Sequence, residues 1–69
     1  MTATEKEVNE RQKAIEEQLE LLFKANMKIT DWDVPEADDQ KAAEMIVEIL
    51  QNKLNLIKKD VEDGKYQFY

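Results

Sequence analysis

Apolar side chains at Val8, Ile15, Leu19 and Leu22, followed by Ile29, fall on one stripe when each residue is turned about 100° from the last. This spacing predicts an amphipathic first helix from about Thr4 to about Lys28, with no Gly or Pro to interrupt it. Two capping boxes compete for its start, Thr4 with Glu7 and Thr2 with Glu5. Arg11 and Gln12 occupy the stripe between Val8 and Ile15. The first three turns are therefore expected to be the least stable part of the helix.

A second helix is predicted over about 38–63. Its start has two solutions: Asp33 with Glu36, placing Pro35 in the first turn, or a cap by Asp38 or Asp39. Gly64 follows the last periodic residue and reads as the left-handed C′ position. The apolar face here is much wider than that of the first helix. Ala43, Ile46, Val47, Leu50, Leu54, Ile57 and Val61 form one flank; Ala42, Met45, Ile49 and Leu56 form another, with Lys53 between them. One broad face could pack on helix 1 alone. Because helix 1 offers only a narrow stripe, the sequence favours a second copy or a different protein over the flank that includes Ile49 and Leu56.

Two such helices, each roughly 37 Å long at 1.5 Å per residue, are expected to fold back as an antiparallel hairpin. The fold class expected is all-α, a single domain over 1–69, with two hairpins closing a four-helix bundle. An acidic connector over 29–37 carries Trp32, and an aromatic tail over 65–69 carries Tyr66, Phe68 and Tyr69. Each aromatic group has two readings. Trp32 either covers the open end of the core beside Ile29 and Val34, the preferred reading, or anchors a partner. The tail either lids Val8 and Val61 or docks on another protein.

Charge sharpens the picture at one place. The chain of 69 residues has a net charge of -6. Almost all of that comes from Asp31, Asp33, Glu36, Asp38 and Asp39, while the flanking segments nearly balance. With a pI near 4.5, direct binding to nucleic acid or to anionic membranes is disfavoured. The short chain buries a marginal core, and with no Cys the reinforcement left is oligomerisation. A basic start followed by an apolar run is missing at the N-terminus, as is any run of about 18 apolar residues. The expected location is cytoplasmic.

Catalytic inventory is thin. There is no Ser, Cys or His, so Ser/His/Asp and Cys/His arrangements are impossible, and one Gly cannot build a phosphate cradle. Carboxylates remain. Glu16, Glu17 and Glu20 with Glu44 and Glu48 resemble the Mg-binding pattern of the all-helical nucleotide pyrophosphohydrolases, in which acids of two facing helices hold metal near a phosphate chain. The resemblance covers these five residues and implies a Mg-dependent nucleotide phosphohydrolase. Against it, Glu17 lies opposite the apolar stripe, and Glu16 and Glu20 sit at helical spacing from Lys13 and Lys24, as on a solvated face. A calcium loop counted from Asp31 fails too, with Glu36 at its glycine position and Ala42 at its bidentate-acid position. The acids are also too concentrated at one hairpin end for extended mimicry of nucleic acid.

The expected function is therefore a non-enzymatic protein–protein interaction module, a small regulator or inhibitor. In length and layout the chain resembles small bacterial and phage regulators that bind kinases, polymerases or defence proteins, although it carries none of their motifs. The expected contacts are Trp32 with Asp31, Asp33 and Glu36, the Ile49 and Leu56 flank, and Tyr66, Phe68 and Tyr69. Neither metal nor cofactor is expected, and the expected partners are an unidentified protein and a second copy. A structural assembly component is the remaining alternative.

Overall fold

A computed structural model describes residues 2–36 and 38–68. Two helices, α1 (Ala3–Asp33) and α2 (Asp39–Glu62), form a hairpin, and no strand occurs among the described residues. The fold is all-helical, as the apolar spacing predicts.

Of the two competing starts, the earlier one operates. The Thr2 hydroxyl accepts from the Glu5 amide at 3.1 Å, so one of the four orphan amides of the first turn is satisfied and α1 begins at Ala3. At its other end α1 passes Lys28 by five residues and takes in Thr30, Asp31, Trp32 and Asp33. The stop lies at Val34, whose amide donates to the Thr30 carbonyl at 2.9 Å while its backbone leaves the helical region at φ -133 and ψ 85. Pro35 is the cause, since its ring disfavours helical geometry in the residue before it. The expected connector over 29–37 thus lies half inside α1.

Pro35 does not enter α2. Asp38 caps that helix, its Oδ1 accepting from the Lys41 amide at 3.1 Å. At the far end Gly64, at φ 80, is the left-handed residue after the helix. Its amide donates to Val61 at 3.0 Å and that of Lys65 to Asp60 at 3.0 Å, the paired bonds of a Schellman ending. The Lys65 ammonium lies 3.6 Å from the Asp60 carboxylate. Residues 63–68 turn instead of extending, with the Gln67 amide donating to Gly64 at 3.1 Å.

What the hairpin lacks is an interior. No described side chain is buried. Half-buried residues gather near the connector: Phe23, Asn26, Met27 and Thr30 on α1, Ala42, Ala43, Ile46 and Leu50 on α2. The two polar members are satisfied on their own helix, Asn26 Nδ2 donating to Leu22 O at 2.8 Å and the Thr30 hydroxyl to Asn26 O at 2.9 Å. The molecule measures 50 × 25 × 17 Å, with a radius of gyration of 16.0 Å. A compact domain of this length has about 11 Å. Extension on this scale leaves the helices' apolar faces largely in water.

Candidate functional site

The surface that results is an open apolar groove between the helices, of about 580 Å³. Ile15, Leu19, Leu22 and Phe23 form one wall; Val47, Leu50, Leu54 and Ile57 form the other. Each wall follows from helical periodicity, because residues three and four apart stack on one face. Away from the connector these side chains are about half exposed, Leu19 at 52% and Leu54 at 51%. Lys53, Gln51, Glu16 and Glu20 rim the groove, which is otherwise hydrocarbon.

Surface area shows how incomplete this is. The chain exposes 6498 Å². A compact monomer of 8.1 kDa exposes about 4,500 Å². The difference, about 2,000 Å², exceeds the share of roughly 800 Å² that each partner contributes to a standard stable interface.

On α2, helix α1 seals neither flank. Val47 and Leu54 remain about half exposed on one side; on the other, Ile49 is 65% and Leu56 58% exposed. Ile49 and Leu56 do not line the groove, which the first flank of α2 builds with the α1 stripe. Phe23, one step beyond that stripe, was not anticipated as a wall. Its helical angle, about 40° from Leu19, was the available signal.

Trp32 does not cover the core. It is 86% exposed, and on α1 it stands roughly 100° round from the Ile15–Leu22 stripe, so the reading in which it closes the bundle end is overturned. Around it Asp31, Asp33, Glu36, Asp38 and Asp39 are all exposed. Only Asp38 and Asp39 face the favourable, positive end of a helix, that of α2. Asp31 and Asp33 lie in the last turn of α1, where the dipole is negative and no basic side chain compensates. A hydrogen bond with the Asp39 carboxyl, followed by loss of solvation and by like charge, pushes the Asp31 carboxyl above the usual range. The tip is thus electrostatically strained, not merely capped.

At the opposite end the described part of the tail, up to Phe68, forms no lid. Phe68 is 93% exposed, and Val8 and Val61 remain more than half exposed. Tyr66 is partly covered, and Tyr69 lies outside the described residues.

The carboxylates of the pyrophosphohydrolase-like pattern are held separately. Glu16 accepts from Gln12 Nε2 at 3.1 Å, Glu44 from Gln40 Nε2 at 3.1 Å, and Glu20 pairs with Lys24 at 3.0 Å. Glu17 and Glu20 share only a notch of about 190 Å³ with Leu21 and Lys24, formed by α1 alone. Among the described residues no three acids converge to hold a metal ion. Neither described helix is long and apolar enough to cross a membrane. No family model, curated protein or solved structure matches the chain.

Proposed function

We propose that this chain is a non-enzymatic protein-interaction module, a small regulator or inhibitor that works as a homodimeric four-helix bundle. The observation that carries this reading is the open groove of a hairpin with no buried side chain among its described residues. Hydrocarbon left in water on this scale is unfavourable by about 25 cal/mol per Å², and another protein surface is what relieves it. A second hairpin laid over the groove completes a bundle. The Trp32 tip, the Ile49–Leu56 flank and the Phe68 tail stay outside that contact and meet the partner protein. Trp32 supplies an apolar anchor within an acidic rim, suited to a basic surface with a hydrophobic pocket.

The test combines mass and capture. Sedimentation equilibrium should give twice 8.1 kDa. A pull-down from the native cell should retain a protein that Trp32→Ala or removal of residues 65–69 loses, with the dimer intact in both variants. A stable monomer, or a partner held equally by both variants, would overturn the reading.

A further inference from the structure

We infer that the occupant of the groove is a second copy running antiparallel, so that the two Trp32 tips stand at opposite ends of the dimer. This rests on the dimeric reading above and deepens it by fixing the arrangement. The area supports self-association: about 2,000 Å² of excess surface per chain corresponds to an interface in the range of permanent homodimers.

Position supports the two-fold. Leu19, on one wall of the groove, lies near the middle of α1 (Ala3–Asp33), and the other wall, from Val47 to Ile57, spans the middle of α2 (Asp39–Glu62). An axis perpendicular to the helices through that point lays groove on groove along its full length, as an isologous contact requires. A groove displaced toward one end would leave an overhang.

Charge selects the direction. The five acids of residues 31–39 have no base among them. Side-by-side tips would set ten exposed carboxylates on adjoining faces, and those brought within about 8 Å, the Debye length at physiological salt, would repel. Asp31 and Asp39 already crowd one another within a single copy. Reversal places each tip instead beside the far end of its partner, where Lys6, Lys58, Lys59 and Lys65 are interspersed with acids. Trp32, well round α1 from the groove wall, stays outside the contact. The dimer then presents two like tips about 50 Å apart, the length of the hairpin. A bivalent partner spanning that distance gains by avidity.

Since the chain has no cysteine, single thiols can be introduced and spin-labelled without background. Glu36→Cys labels the tip and Lys6→Cys the far end, both exposed positions. Pulsed dipolar spectroscopy on Glu36→Cys dimers should give a distance near 50 Å. Mixed dimers of the two variants should give a distance below about 25 Å, a little over two helix diameters. A short tip-to-tip distance in Glu36→Cys dimers would overturn the antiparallel arrangement and leave dimerisation standing. Absence of any intermolecular coupling, with a mass of 8.1 kDa by sedimentation, would overturn the dimer itself.

Discussion

Asp31, in the last turn of α1, meets Asp39, in the first turn of α2, and their contact raises the Asp31 pKa above the usual carboxylate range. The folded chain therefore holds this proton more tightly than the unfolded chain does. Stability from it is fully present below the ordinary Asp pKa, about 3.9, and is lost as pH rises through the raised value. At neutral pH the pair opposes the hairpin turn.

Asp31→Asn removes that opposition. The variant is expected to melt above wild type at pH 7, with the gap closing as pH falls toward 4. Thermal circular dichroism of both chains at matched concentration checks this. A gap independent of pH would show that Asp31 and Asp39 are not linked in the way their geometry indicates.

Thr2→Ala should release the first turn of α1, because it deletes the hydroxyl that accepts from the Glu5 amide. Loss of an N-cap typically costs about 1 kcal/mol. Amide exchange over the first turn should quicken by about fivefold. Thr4→Ala should leave it unchanged, since the Thr4 box is not the operating cap. Equal effects would place the helix start elsewhere.

Gly64→Ala forces a Cβ into the left-handed region at φ +80. The new carbon meets Gln67 Oε1 at 3.4 Å, an ordinary contact, so the penalty is one of backbone and not of crowding. It should amount to about 1–2 kcal/mol, read as a lower urea midpoint with an unchanged slope. Gly64→Asn should lose less, because Asn tolerates this region better.

The helices and their ends were legible where one residue alone fixes the geometry. Gly64 is the only glycine, and its place after the last apolar position announced the left-handed turn. The end of α1 was harder to read. Asp31 and Asp33 are poor residues for the negative end of a helix, and the expected connector began at Ile29. The steric rule at Val34, imposed by Pro35, proved stronger than that weak electrostatic preference. Trp32 was misplaced for the same reason: a connector side chain is free to fold over a core, whereas one in the last turn of α1 points where the helical angle sends it. The groove was legible as two matching stripes with the Ile49–Leu56 flank left outside it, but not how far apart its walls would stand. That spacing depends on how the two helices meet near Phe23 and Leu50, a tertiary contact with no local signature.

If a second copy fills the groove, folding and association are one equilibrium, and the melting temperature of the wild-type chain should rise with protein concentration. Leu19→Ala tests this from inside the groove. The substitution occurs twice in a symmetric dimer, and truncating a buried Leu costs about 2 kcal/mol or more. The two losses together, about 4 kcal/mol, should therefore weaken the dimer so that on the order of 700-fold more protein is needed to reach half-dimer. Leu21→Ala is the matched control, because Leu21 lies round α1 from the stripe, on the notch with Glu17 and Lys24. Its removal should leave the mass and the concentration dependence as in wild type. Analytical ultracentrifugation over a hundredfold dilution separates the two. Equal weakening by both variants would mean that loss of helix, not loss of the groove, had dispersed the dimer.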